Sequence, residues 1–156
     1  MSRLDLLWFI NLGYATTIIA FYLLPLLLFK SKNLYLLITN FFSEKNNYII
    51  ISLFFIYLIY LLNFFDYKEF TTEKYWVGLG YMHKISLILF KDYLLQEIFT
   101  YFAFFICWLI ILIFIGKNLN DFFIIIYFYL LSLILWPLVQ EYFDPIIMLL
   151  VFTIFS

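Results

Sequence analysis

Four long apolar blocks, at residues 6–29, 48–65, 93–115 and 122–139, decide what this chain can fold into. As helices at 1.5 Å per residue, the longest would reach about 36 Å and the shortest about 27 Å, against a hydrocarbon core of about 30 Å. Each block predicts a membrane-crossing helix, because in lipid a backbone must satisfy its own polar groups. Composition supports this. Of 156 residues, 67% are hydrophobic and 12% charged, where a soluble domain carries about 25% charged residues. The 22 Phe and 14 Tyr exceed what a small fold can hide, since such domains bury only about 60–70% of their surface. The expected fold class is all-α, a polytopic transmembrane helical bundle forming a single integral membrane domain over 1–156.

The first block has no small-residue cleavage site after it; Pro25 and Lys30 follow instead, which predicts a retained signal-anchor rather than a removed leader. Within it Gly13 and Thr17, and Thr16 and Ala20, are four apart, the small-residue spacing that lets a second helix approach closely. Residues 34–42 are apolar but too short to span and are expected in the interface. Residues 75–90 hold Gly78, Gly80, His83 and Lys84 among aromatic and aliphatic residues, which predicts an interfacial or re-entrant helix rather than a crossing. After Pro137 the polar run Gln140 to Pro145 precedes only ten apolar residues, 146–155, about 15 Å of helix. That ending predicts either a partial fifth helix of a split or truncated polypeptide, or a re-entrant tail.

The net charge of −1 arises from nine basic and ten acidic side chains with no basic stripe, so nucleic acid is not an expected partner. One Cys, Cys107, and one His exclude an internal disulfide and an ordinary structural zinc site, and no metal or cofactor is expected. Basic residues divide almost evenly between alternate loops. The 66–92 segment is placed outside because the first two crossings turn around Lys30 and Lys32.

No P-loop, HExxH or GxSxG occurs. Ionisable residues beside the membrane are then the functional candidates. His83 and Lys84, flanked by Asp66, Glu69, Glu73, Lys91 and Asp92, could hold a lipid-linked phosphate while a carboxylate serves as general base on an acceptor hydroxyl. The simpler account is a snorkelling Lys84 and solvated loop acids. Glu141 and Asp144 lie at a membrane boundary, where Asp144 can equally act as N-cap to a helix begun by Pro145. Gln96 and Glu97 suit the first turn of the third crossing as capping residues. The four crossings themselves hold no ionisable residue at mid-membrane, which argues against an ion pathway.

The run Pro137-Leu138-Val139-Gln140-Glu141-Tyr142-Phe143-Asp144-Pro145-Ile146-Ile147 resembles the late segment of multipass glycosyltransferases that use polyprenol-phosphate sugars, the GT-C-like superfamily. There a charged residue, an aromatic pair and a Pro recur before a C-terminal membrane helix, in an outline like R-Y-x-x-P-L; Glu141 replaces the usual Arg. Residues 81–90 also resemble a stretch upstream of the closing helices of bacterial members. The resemblance covers roughly 75–155 and implies the C-terminal half of such an enzyme in a bacterial-type inner membrane. Segments 66–92 and 140–145 would then border sugar and phosphate, with His83, Lys84, Glu141, Tyr142 and Asp144 as binding residues. The family's catalytic Asp in an early external loop has no counterpart; that loop offers Glu44, so no catalytic residue is named. The alternative is a non-catalytic subunit or scaffold that packs a further membrane chain against the Gly13/Thr17 face.

Overall fold

The computed structural model describes residues 3–29, 31–68, 80–115 and 119–134, and everything described in it is helix or short connection. Six helices follow in order: α1 (Arg3–Phe29), α2 (Ser31–Ser43), α3 (Lys45–Phe64), α4 (Gly80–Leu89), α5 (Tyr93–Ile115) and α6 (Leu119–Ile134). Two segments, Asn47–Phe64 of α3 and Tyr93–Ile113 of α5, are long and apolar enough to cross a membrane. The bounds of α5 coincide with the expected crossing at 93–115. Helix α3 starts three residues earlier than 48, because Glu44 holds an extended conformation and ends α2 instead of joining it. The expected partial helix at 146–155, and residues 75–79 and 135–139 of the segments named above, lie outside the described residues.

Side-chain pairs across the helices set their directions. Phe9 packs on Tyr60 while Tyr57 reaches Gly13, so α1 and α3 are antiparallel. Phe54 stacks on Trp108, whereas Tyr67, just past the end of α3, meets Thr100, so α3 and α5 are antiparallel too. Helix α1 therefore runs parallel to α5. Helix α6 turns back after α5 and brings Tyr129 onto Trp108 and Thr16. The start of α1, the end of α3 and the start of α5 thus share one end of the bundle, here called the near end, and α2 lies at the far end.

The centre is α1 against α5. Gly13 is where they touch: a Cβ there would meet the Phe104 ring at 2.2 Å, so only glycine admits this approach. The Gly13/Thr17 face, expected to dock a further chain, is filled by the protein's own helices, with Thr17 and Gly13 both buried. Tyr57 adds a second tie. Its hydroxyl accepts from Gly13 N–H at 3.1 Å and donates to the Phe9 carbonyl at 2.6 Å, bridging one rung of the α1 ladder from the side.

Outward faces stay apolar. Only 17% of the α3 segment is buried in the fold, and its outer row includes Leu53, Ile56, Ile59 and Leu62, with Ile56 62% exposed. An exposed apolar row of this length marks a surface that meets lipid or another protein.

Candidate functional site

Helix α4 is only ten residues long and packs beside α1 and α5 rather than standing apart from them. The turn that joins it to α5 is built from its own polar groups. Phe90 N–H donates to the Ser86 carbonyl, Gln96 Nε2 donates to the Phe90 carbonyl at 2.8 Å, and Gln96 N–H donates to the Asp92 carbonyl. Gln96 is buried, so it closes this turn instead of reaching water as a capping residue in the first turn would. Antiparallel to α5, α4 carries His83 to the level of Thr100, about 10 Å along α5 from Tyr93.

There a polar cluster forms inside the apolar bundle. His83, Ser86, Thr100 and Tyr14 are fully buried and Tyr67 is 2% exposed. The hydroxyls of Tyr67 and Tyr14 lie 3.4 and 3.5 Å from His83 Nδ1. Tyr67 also lies 3.1 Å from Thr100 Oγ1 and 3.5 Å from Ser86 Oγ. The Ser86 hydroxyl donates to the His83 carbonyl, and that of Thr100 to the Gln96 carbonyl, so both orient their lone pairs toward Tyr67. Among the described residues His83 Nε2 has no partner. Burial pushes the His83 imidazolium down to about 4, because a charged ring has lost its water without gaining a carboxylate. Burial likewise raises the Tyr67 phenol, against hydrogen bonds to Ser86, Thr100 and Tyr14 that lower it.

Tyr67 is also a wall of the second part of the site. At the near end a cleft of about 590 Å³ opens between the end of α3 and the start of α5, lined by Asp66, Tyr67, Lys68, Asp92, Tyr93 and Glu97 above the apolar Leu62 and Phe64. Three carboxylates and one ammonium therefore face two phenol rings, with Lys68 Nζ 5.9 Å from the centre of the Tyr93 ring. Carboxylates and aromatic faces in one pocket suit a ligand rich in hydroxyl groups. One cation among three acids suits a compact polyanion poorly.

Of the residues singled out in the sequence, His83 is at the centre of the buried cluster, while Lys84, the next residue, is exposed and takes no part in it. Glu141, Tyr142 and Asp144 lie outside the described residues. Tyr14, Tyr67, Ser86 and Thr100 were not anticipated. Their signal was helical spacing: His83 and Ser86 are three apart, and Gln96 and Thr100 four apart, each pair sharing a helix face. No group of three or more metal-ligating side chains gathers among the described residues. Comparison of the chain with family models, with curated proteins and with solved structures finds no match.

Proposed function

We propose that the chain is a multipass integral membrane protein with four crossings, α1, α3, α5 and α6, whose near-end cleft receives the head of a lipid-linked sugar. The activity in view is a glycosyltransferase, or part of one, acting on a polyprenol-phosphate sugar in a bacterial-type inner membrane. One observation carries this reading: the cleft of carboxylates and tyrosines lies at the shared end of the two membrane-length helices, directly above lipid-compatible surface. A sugar in the cleft would give its hydroxyl protons to Asp66, Asp92 or Glu97 and stack on Tyr93, while its isoprenoid tail follows the exposed row of Leu62 and Ile59 down α3. Lys68 is the cation within the cleft that can meet the linking phosphate, and a neighbouring carboxylate can take the proton of an acceptor hydroxyl.

Alternating helix directions support four crossings, as does the half-length α4, which runs from within the bundle to the near end as one limb of a re-entrant segment would. The alternative, a scaffold subunit for a larger complex, has lost its named docking face to Phe104.

The test uses the full chain in lipid nanodiscs with a polyprenol-phosphate hexose and the same lipid without sugar. The expected result is saturable binding that requires the sugar and weakens at least tenfold in Asp66→Asn and Glu97→Gln. Equal affinity for both lipids, unchanged in the variants, would refute the transferase reading and leave the scaffold.

A further inference from the structure

The expected crossings carry no ionisable residue at mid-membrane, yet α4 delivers one from outside them. His83 is the chain's only histidine and none of its surface is exposed. Its described partners are neutral hydroxyls, those of Tyr14 and Tyr67 at one nitrogen. A neutral ring protonated at Nδ1 satisfies this arrangement, donating to a tyrosine oxygen and leaving only a lone pair at Nε2. An imidazolium does not, for it would add a second N–H at Nε2, where no described acceptor stands, and a charge with no counter-ion.

The same few contacts hold α4 in place. Tyr81 donates to the Thr17 carbonyl of α1, His83 and Ser86 meet Tyr67, and His83 meets Tyr14. The outer face of α4, with Ile88 and Leu89, is exposed. A ten-residue helix held through a few polar contacts, with a buried imidazole among them, has the makings of a two-position element.

We propose that His83 is a proton-binding site that controls the seating of α4 between α1 and α5: the neutral ring keeps the helix docked, and uptake of one proton from near-end water releases it. The only bond formed is N–H on the imidazole, and the proton comes from solvent. The groups facing this ring are Tyr14 from α1, Tyr67 from the connection after α3, and Thr100 from α5. Glu97 and Tyr101 of α5 stand behind Tyr67, and Cys107 of α5 near Tyr81. The acidic side chains on this side of the bundle are Glu97 of α5 and Asp66 and Asp92 of the cleft.

Linkage sets the size of the effect. A ring that protonates at about 4 when docked and near 6.5 when released gains roughly twentyfold in its opening equilibrium between pH 7 and pH 5. The inference holds whether or not the cleft takes a sugar.

Hydrogen exchange of the α4 amides in the full chain, in nanodiscs at pH 7 and pH 5 and corrected for intrinsic exchange, reads this directly. Wild type should show the roughly twentyfold rise, and His83→Gln less than a twofold one. A flat wild type overturns the proposal, and so does an equal rise in His83→Gln, which would assign the effect to the carboxylates. Labelled histidine gives a single NMR signal, so the wild type alone decides if the variant does not fold. A docked ring titrating below pH 5.5 supports the proposal; titration near 6.5 with α4 protection unchanged refutes it.

Discussion

Replacing Gly13 by alanine is the sharpest test of the α1 and α5 contact. The added Cβ would stand 2.2 Å from two atoms of the Phe104 ring, where carbon atoms ordinarily rest about 3.5–4.0 Å apart. Relief demands a shift of roughly 1.5 Å by the ring or by a whole helix. The ring has little freedom, being fully buried with Tyr14 at 5.1 Å and Tyr101 at 6.0 Å between centroids. Overpacking of this kind costs about 1–3 kcal/mol, and the better helix propensity of alanine returns up to about 1 kcal/mol. A net loss of about 1–2 kcal/mol follows, roughly a five- to thirtyfold change in the unfolding constant. Equilibrium unfolding in mixed micelles, followed by tryptophan fluorescence, measures it. Combining Gly13→Ala with Phe104→Leu removes the clashing ring edge, so the pair should be at least about 1 kcal/mol less destabilised than the sum of the single changes. Strict additivity, or a Gly13→Ala protein as stable as wild type, would refute the close approach.

Tyr67→Phe should cost about 1–2 kcal/mol, since it strips a buried hydroxyl from Ser86, Thr100 and His83; thermal denaturation beside Tyr127→Phe, on an exposed residue, checks it. Ile56→Arg, on the outer row of α3, should impair membrane insertion by about 2.5–3.5 kcal/mol, visible as loss of the membrane-bound fraction. A gain of soluble, folded protein would contradict the bilayer reading. Stability should fall with acid. Because the folded His83 value is depressed to about 4, folding loses stability as pH drops from about 6.5 toward 4, by roughly 3 kcal/mol in all. Unfolding in the same micelles at pH 7 and pH 4.5 should show that loss in wild type and a smaller one in His83→Gln.

Where apolar runs end in clusters of polar residues, sequence and structure agree. Lys91 and Asp92 on one side and Gly116, Lys117 and Asn118 on the other frame α5 at its expected limits. Pattern alone could not say where α4 would go. A helix with His83 and Ser86 on one face and Leu87, Ile88 and Leu89 on the other can lie in the interface with its polar face to water. It can equally turn that face inward if other helices supply hydroxyls. Tyr14, Tyr67 and Thr100 supply them from three separate parts of the chain, and that convergence has no local signature. The cleft is legible as a charged segment around 66–92, and Glu97 stands near the start of α5 as its position predicts; that the two meet in one cleft cannot be read from composition. The small-residue spacing at Gly13 correctly marked a helix contact; the partner turned out to be Phe104 of the same chain.

The Tyr57 bridge has a consequence for the order in which the molecule is made. On a ribosome, α1 is complete before Tyr57 exists, so the strip from Phe9 to Gly13 must first close its hydrogen bonds without help. The later arrival of a phenol beside that amide and that carbonyl then clamps a rung already made. A stretch of chain that stops short of Tyr57 forms the rung without the clamp.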